Sequence, residues 1–137
     1  MKIEPYLFFE GRTEEALEFY KSRLGAKVQA VMRYKDNPDP KYNPPNSEQK
    51  VMHSLFSVGD TKIMASDGNC TGKPSFQGFA LTINAANPAE AEQRFNALAE
   101  GGQVQMPLAE TFFAKSFGMV ADRFGVGWMV IAGPKNP

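Results

Sequence analysis

The stretch FGMVADRFGVGWMV, residues 117–130, carries the pattern that decides the fold. Its two ends, 117–121 and 126–130, are apolar runs of strand length, and the Asp-Arg-Phe-Gly sequence between them is typical of a tight turn. The segment therefore predicts a β-hairpin. An acid–base pair of the aspartate and arginine is the alternative. We favour turn chemistry, in which the aspartate caps the turn and the glycine takes a positive φ.

The residues before this hairpin complete one βαβββ unit. Residues 78–84 have a strand pattern, and Asn87, Pro88 and Glu90 supply an N-cap, a proline at the first helical position and an acid in the first turn. Gly101-Gly102 ends the predicted helix, and a strand follows at 103–106.

The first half of the chain has the same order of elements. Thr13 is the expected N-cap of a helix that ends at Gly25. Strands are predicted at 3–9, 26–34, 51–58 and 62–66. The helix-to-strand joints also match in spacing: Phe19, Gly25 and Val28 in the first half correspond to Phe95, Gly101 and Val104 in the second. Such self-similarity indicates a duplicated module.

We therefore predict an α+β fold with a single domain over residues 1–137. It consists of a first βαβββ module at 1–67, a linker at 68–77 and a second module at 78–133. The loop at 36–47 contains four prolines, which predicts an extended backbone without helix or strand. It would serve either as a lid or as an arm that grips another subunit.

Composition excludes several classes of protein. Of the 137 residues, 42% are hydrophobic and 22% charged, as expected for a globular domain, and the formal net charge is zero, which argues against nucleic-acid binding. The one cysteine, Cys70, can form no internal disulfide and no thiolate cluster. No segment has the apolar length of a membrane span, and the N-terminus lacks a signal-peptide pattern. We expect a cytoplasmic protein with no membrane partner.

Motifs spread over nearly the whole chain resemble one family. They are Pro5-Tyr6, AxxFY at 16–20 with LGA at 24–26, His53 with VGD at 58–60, MASD at 64–67 with GK at 72–73, GFAL at 78–81 and ETFFAKSFGMVADRFGVGWM at 110–129. The chain resembles the vicinal oxygen chelate (glyoxalase/bleomycin resistance/dioxygenase) superfamily, in its bacterial PhnB-like, 3-demethylubiquinone methyltransferase-like branch. The resemblance implies two βαβββ modules forming a curved mixed sheet around a cleft, with helices on the outer face, and a homodimer.

Metal-dependent members of that superfamily hold an ion with His, Glu or Gln side chains from the first and last strand of each module. The corresponding positions here are Pro5, Ala65, Gly78 and Met129, give or take one residue. None of these side chains suits a hard or borderline divalent ion. Shifting by one residue recovers only Glu4 and Gln77, and such a shift also turns a strand side chain to the other face. We therefore expect no metal and no other cofactor.

His53 is the only histidine and the candidate catalytic residue. In its strand Met52, Ser54, Phe56 and Val58 alternate with Val51, His53, Leu55 and Ser57. The first set suits packing on a helix, which would turn His53 toward the cleft. There it would transfer protons or form hydrogen bonds, whereas the alternative is a half-buried strand histidine bonded to backbone.

Other candidates would contact a ligand. They are Leu7, Phe9, Ala65, Asp67, Phe112, Phe117 and Met129. Phe112, Phe113 and Phe117 either wall an apolar pocket or belong to the core, and Asp67 either bonds a ligand or caps a strand end. Trp128 alternates with Gly127 and Met129 and is expected to pack against a helix.

These residues leave two functions open. The favoured one is a metal-free small-molecule-binding protein, whose cleft is apolar with a few polar contacts. The alternative is a lyase, isomerase or dioxygenase-type enzyme that uses His53 or an atypically held divalent metal. The chain has no glycine-rich cofactor loop after a first strand, which argues against methyl transfer.

Overall fold

The computed structural model describes residues 1–135. The chain divides into two compact units, the first ending at Pro74 and the second beginning at Ser75. The division falls inside the segment 68–77 that the sequence predicts as a linker. Each unit contains one helix and four strands in the order βαβββ, as predicted.

The first unit is a four-stranded mixed sheet with one helix. Its elements are β1 (Tyr6–Phe8), α1 (Thr13–Leu24), β2 (Lys27–Arg33), β3 (Val51–Val58) and β4 (Thr61–Ser66). The strand order is β1-β4-β3-β2, with β1 parallel to β4 and the other pairs antiparallel.

The second unit repeats this arrangement strand for strand. Its elements are β5 (Leu81–Ala85), α2 (Pro88–Ala99), β6 (Gln103–Ala109), β7 (Ser116–Ala121) and β8 (Gly127–Ala132). The order is β5-β8-β7-β6, with β5 parallel to β8. Even the bulges correspond, because the register shifts directly after Val28 in β2 and directly after Val104 in β6. The predicted duplication is therefore confirmed in the topology of the two units.

One face of the first sheet packs on α1. Phe56 of β3 stacks on Tyr20 of α1 with ring centroids 5.9 Å apart, and Phe9 contacts the same tyrosine at 6.2 Å. Leu7 pairs in register with Ala65, and both are almost fully buried. Burying each large apolar side chain of this kind contributes roughly 1.5–3 kcal/mol.

The second sheet packs on α2 in the same way. Gly118 lies against Phe95, so close that a Cβ atom at Gly118 would stand 2.7 Å from the phenylalanine ring. Val120, on the same face, pairs with Trp128, and the tryptophan is buried. Trp128 thus lies on the helix-covered face of the sheet, as predicted.

The side chain of Asp122 stabilises the turn between β7 and β8, as predicted. The Asp122 carboxylate accepts hydrogen bonds from the N–H groups of Phe124 and Val126 at 2.9 and 3.1 Å, and from Nε1 of Trp128 at 2.9 Å. Gly125 takes a φ of +89°. Asp122 is buried, so its carboxylate stabilises the turn rather than serving as half of an exposed acid–base pair.

Two local predictions were wrong. Helix α1 begins at Thr13, so its N-cap is Arg12, which makes no side-chain capping bond. The loop at 36–47 is not structureless, because 3₁₀ turns form at Tyr34–Asp36 and Pro40–Tyr42. The side chain of Asn43 bridges them by donating to the carbonyl of Tyr34 at 3.0 Å.

The helices within residues 1–135 are too short or too polar to cross a bilayer.

Candidate functional site

Each sheet has a second face that its own helix does not cover, here called the helix-free face. In the first unit its side chains include those of Tyr6, Phe8, Met32, His53, Leu55 and Met64, together with the polar Ser57, Lys62 and Ser66. In the second unit they are those of Thr82, Asn84, Met106, Phe117, Met119, Met129 and Ile131. The assignment follows from register, because directly paired residues point to the same side of a sheet.

His53 lies on the helix-free face of the first unit, which confirms its predicted orientation. The Tyr6 hydroxyl lies 3.1 Å from Nδ1 of His53, and the two rings are 5.8 Å apart. Tyr6 also stacks on Phe8, with centroids 4.9 Å apart and planes at 29°. The imidazole is therefore held from one side by an aromatic pair, and both Tyr6 and His53 are partly exposed.

The Tyr6–His53 hydrogen bond determines what the imidazole offers a ligand. When the ring is neutral and Nδ1 accepts from the hydroxyl, the proton is on Nε2, which is then a donor. When the ring is protonated, Nδ1 donates to the Tyr6 oxygen instead. The side chains nearest to the pair in the register, those of Met32, Leu55 and Met64, are apolar, so the pair is a polar group with apolar neighbours.

Three of the predicted ligand contacts lie on the other side of the sheet. Leu7, Phe9 and Ala65 are exposed by 1%, 0% and 0%, and they pack on the α1 side. Their side chains therefore point to the face opposite the one predicted, as happens when a strand is assigned one residue out of register. The side chains that occupy the helix-free face in their place are those of Tyr6, Phe8 and Met64.

Asp67 is the hub of a buried hydrogen-bond network. Its Oδ1 accepts from the N–H groups of Gly11 and Thr13 at 3.0 and 2.9 Å, and its Oδ2 accepts from the N–H of Val51 at 2.8 Å. The carboxylate thus supplies the N-terminal cap that Thr13 was predicted to provide, and it ties α1 to the start of β3. Its predicted contact with a ligand stays a prediction.

Two groups near Asp67, the Tyr34 hydroxyl and the Cys70 thiol, have a perturbed pKa. Burial raises the pKa of the Tyr34 hydroxyl, and the negative charges of Cys70 and Asp67 raise it further. Burial likewise raises the pKa of the Cys70 thiol, with Asp67 adding to the effect. Tyr34 donates to the carbonyl of Gly68. Both groups therefore stay neutral near pH 7, and Cys70 has little nucleophilic thiolate.

The helix-free face of the second unit is rich in sulfur and aromatic rings. Met129 lies on this face, as predicted, and pairs with Met119. Phe117 also lies here, buried to 8% exposure, and its ring meets Phe113 edge to face at 5.2 Å. Phe113 in turn meets Phe112 at 5.1 Å, and Phe112 is 91% exposed. Phe117 thus belongs partly to the core, whereas Phe112 does not.

A family model described as 3-demethylubiquinone-9 3-methyltransferase matches residues 1–131. The chain belongs to this family. Protein YjdN of Escherichia coli K12 is 32% identical over 145 residues, which cover 100% of this chain and 99% of YjdN.

Solved structures of family relatives have the same architecture. Protein PA1353 of Pseudomonas aeruginosa is 42% identical, with a TM-score of 0.85 over 98% of this chain and 99% of that one. A PhnB protein of Bacillus cereus is 29% identical, with a TM-score of 0.81 over 97% and 100%.

More distant structures show the fold alone. The fosfomycin resistance protein FosX of Listeria monocytogenes is 10% identical, with a TM-score of 0.65 over 97% and 93% of the two chains. A glyoxalase-related enzyme of Fulvimarina pelagi is 19% identical, with a TM-score of 0.61 over 97% and 88%. The chain therefore has the glyoxalase/bleomycin resistance fold that the sequence resemblance implied.

The strand register now identifies the equivalent positions of the family's two modules. Tyr6 pairs with Met64 between β1 and β4, and Thr82 pairs with Met129 between β5 and β8. The counterpart of Met129 is thus Met64, one residue from the predicted Ala65, whereas the predicted Gly78 was wrong, because it lies before β5 and Thr82 takes that position.

Neither pair of side chains suits a divalent metal. Two thioethers, a phenol and a secondary alcohol are poor ligands for a hard or borderline ion. Within residues 1–135, no three His, Cys, Asp or Glu side chains come together in a way that could hold a metal. The donor set therefore does not fit the divalent site that the fold's metal-dependent members contain.

The connection from β1 to α1 also bears on the family's description. It contains a single glycine, Gly11, whose N–H donates to the Asp67 carboxylate. A glycine-rich loop with free N–H groups, of the kind that binds a dinucleotide cofactor, is thus missing from residues 9–12. The β1–α1 connection thus gives no support to the methyl transfer that the family description names.

Proposed function

We propose that this protein binds a small organic molecule through its own side chains, without a resident divalent metal. The observation that carries the proposal is the Tyr6–His53 hydrogen bond among the apolar side chains of Phe8, Leu55 and Met64. Small-molecule sites are mostly apolar, with a few polar groups that fix the orientation of the ligand. The helix-free face of the first unit has this composition.

The pair suits a ligand with a hydroxyl or carbonyl group. An imidazole whose Nδ1 accepts from Tyr6 presents Nε2–H to a ligand acceptor, and the hydrogen bond limits rotation of the ring. A hydrogen bond of this kind contributes about 0.5–1.5 kcal/mol to binding, or roughly 2- to 10-fold in affinity. The apolar neighbours Phe8, Leu55 and Met64 would supply most of the contact area.

The experiment uses defined probes, because the natural ligand is not identified. 1-Naphthol and naphthalene are titrated into the protein and the imidazole resonances of its single histidine are followed by NMR. We expect 1-naphthol to bind more tightly than naphthalene and to shift the His53 signals. Tyr6→Phe and His53→Gln should each remove the preference for the hydroxyl.

Tyr42→Phe is the matched control, since Tyr42 is 81% exposed. Equal affinity for the two probes in the unmodified protein, or failure of both to bind, would refute the proposal.

The Tyr6–His53 bond also supports a second candidate, an acid–base enzyme of the lyase or isomerase type. A histidine oriented by a hydrogen-bonding neighbour is the usual arrangement of a general base, which contributes about 10²- to 10⁴-fold to a rate. In that case the neutral ring would carry its proton on Nδ1 and donate it to the Tyr6 oxygen, so that the lone pair of Nε2 takes the proton from the substrate. Hydrogen–deuterium exchange at the α-carbon of carbonyl probes, lost in His53→Gln, would favour the enzyme over the binding protein.

Assembly as a homodimer remains a proposal as well. It is supported by the edge strands β2 and β6, which expose Val31 and Val104 by 45% and 46%. Exposed apolar edge strands are sites at which chains associate. Sedimentation equilibrium should give twice the mass of the chain, and a monomer at all concentrations would contradict the proposal.

A further inference from the structure

A groove with a volume of about 670 Å³ lies between α2 and the edge strand β6, within the second unit. Its apolar lining consists of Pro88, Phe95, Val104, Pro107 and Leu108. Val104 pairs with Val120, so the groove lies on the helix-covered side of the sheet and not on the helix-free face. Small-molecule sites have volumes of roughly 300–1,000 Å³, and the groove is therefore large enough to hold one.

The groove is open because α2 does not cover β6. Phe95 lies over β7, where Gly118 leaves room for its ring. The register between β6 and β7 shifts between Met106 and Ala109, so β6 bulges there and departs from the regular sheet. Every residue of β6 except the half-buried Leu108 is exposed.

The first unit closes the matching gap with its own side chains. Counted from the first residue of each helix, Glu14 and Leu17 of α1 correspond to Ala89 and Glu92 of α2. Glu14 forms an ion pair with Arg33 of β2, which spans the gap from helix to edge strand, and Leu17 is buried. Ala89 cannot form such a pair, and Glu92 is exposed. The open groove is thus a property of the second unit's residues and not of the duplicated fold.

The carboxylate of Glu92 is the charged group of the groove. Asn96 follows one turn later on the same side of α2, and Ser116 at the start of β7 adds a hydroxyl. Arg94 is two positions from Glu92 and so does not lie beside it on the helix surface. Within residues 1–135 the lining contains no lysine or arginine, and the Glu92 side chain forms no ion pair or hydrogen bond.

A ligand that complements this lining has an apolar body and a positive charge at one end. A protonated primary amine has three N–H donors, which match the acceptor oxygens of Glu92, Asn96 and Ser116. An apolar body would remove the surfaces of Phe95 and Val104 from water, which is favourable in proportion to the area covered. An anionic ligand would instead meet the carboxylate without a compensating cation.

We infer that the α2–β6 groove binds small organic amines in their protonated form. The ammonium group lies at Glu92 and Asn96, and the apolar body lies against Phe95, Val104 and Leu108. The inference does not rest on the proposed function, because no residue of the groove belongs to the Tyr6–His53 face.

The test compares two probes of nearly the same shape. 1-Naphthylmethylamine is protonated near pH 7, whereas 1-naphthylmethanol is neutral. Both should bind, and at low ionic strength the amine should bind about two- to fivefold more tightly, because an exposed ion pair contributes modestly. Glu92→Gln should remove this preference. Asp60→Asn is the matched control, since it also turns an exposed carboxylate into an amide but lies in the first unit.

A second measurement locates the bound amine. The backbone amide NMR signals of Phe95 and Leu108 should shift on titration with 1-naphthylmethylamine, and the imidazole signals of His53 should not. Ala89→Trp should remove binding of both probes, because the indole fills the groove. Gln93→Trp, at an exposed position of α2 outside the groove, should leave binding unchanged.

Several outcomes would overturn the inference. They are failure of both probes to bind, equal affinity for the two probes, and a preference for the amine that persists in Glu92→Gln. Shifts at His53 in place of Phe95 would assign the amine to the first unit and would also overturn it. A lower sedimentation mass of Glu92→Gln, with no amine binding to the unmodified protein, would assign the groove to a basic side chain of a second copy instead.

Discussion

The Tyr6 hydroxyl reaches Nδ1 of His53 across an intervening strand, because β4 lies between β1 and β3 in the sheet. The contact joins residues 47 positions apart in the chain. It occupies Nδ1 of the only histidine in the sequence and leaves Nε2 as the nitrogen that can meet a ligand.

The first prediction concerns that tautomer. We expect the Tyr6 hydroxyl to donate to Nδ1, so the proton of the neutral His53 ring should be on Nε2. Two-bond ¹H–¹⁵N correlation spectra distinguish the two tautomers, and the signals need no assignment because the sequence has one histidine. Tyr6→Phe should move the population toward a mixture, and Tyr42→Phe should not. A neutral ring with its proton on Nδ1 would mean that the Tyr6 oxygen accepts the hydrogen bond, and it would contradict this prediction.

The second prediction concerns the buried carboxylate of Asp67, which accepts hydrogen bonds from three backbone N–H groups. In Asp67→Asn, the amide oxygen can still accept from Gly11 and Thr13, but the amide N–H₂ then faces the N–H of Val51. Leaving a buried donor without an acceptor costs about 1–3 kcal/mol, and we expect the free energy of unfolding to fall by that amount. Denaturant unfolding measures it, with the exposed Asp60→Asn as control. Equal stability of the two variants would show that the network does not stabilise the fold.

The sequence was sufficient for the architecture, because the signals involved are local. Turn residues, helix ends and the alternation in β3 each depend on neighbours a few positions away. His53 and Phe56 were placed on opposite faces correctly, since polar and large apolar residues alternate there. The turn at Asp122 was also predicted from its composition alone.

The first strand shows where such reasoning fails. Residues 6–9, Tyr-Leu-Phe-Phe, are all apolar or aromatic. No alternation of polar and apolar side chains therefore indicates which face of this strand is buried. Leu7 and Phe9 were therefore placed on the wrong side. The cap of α1 by Asp67 was missed for a different reason, since it joins residues 54 positions apart. The Tyr6–His53 contact likewise depends on strand order.

The third prediction concerns the close contact under α2. A Cβ atom at Gly118 would stand 2.7 Å from the ring of Phe95 and 3.0 Å from Cα of Leu108. Gly118→Ala should therefore destabilise the protein by about 1–3 kcal/mol through overpacking. Thermal unfolding measures the effect, with Ser116→Ala on the same face of β7 as control. An unchanged midpoint for Gly118→Ala would mean that the helix can move away from the sheet at little cost.

The fourth prediction concerns alkaline pH. Because the folded state raises the pKa of Tyr34 above its ordinary value of 10.0, the contribution of this group is fully present below pH 10 and is lost as the pH rises through the folded pKa. Unfolding free energies of Tyr34→Phe should thus fall less steeply above pH 10 than those of the parent.

The measurement is made in a Cys70→Ser background, so that the neighbouring thiol does not titrate in the same range. Tyr42→Phe should keep the slope of the parent. Parallel curves for the Tyr34→Phe variant and its parent would be inconsistent with a raised Tyr34 pKa.

The most direct test of the account is calorimetric titration of chelator-treated protein with nickel, zinc and manganese, together with elemental analysis of the untreated protein. The account predicts no stoichiometric binding of any of the three ions, because Tyr6, Met64, Thr82 and Met129 occupy the equivalent strand positions. It also predicts unchanged 1-naphthol affinity after chelation. One tightly bound ion per chain, or loss of 1-naphthol binding on chelation, would contradict it.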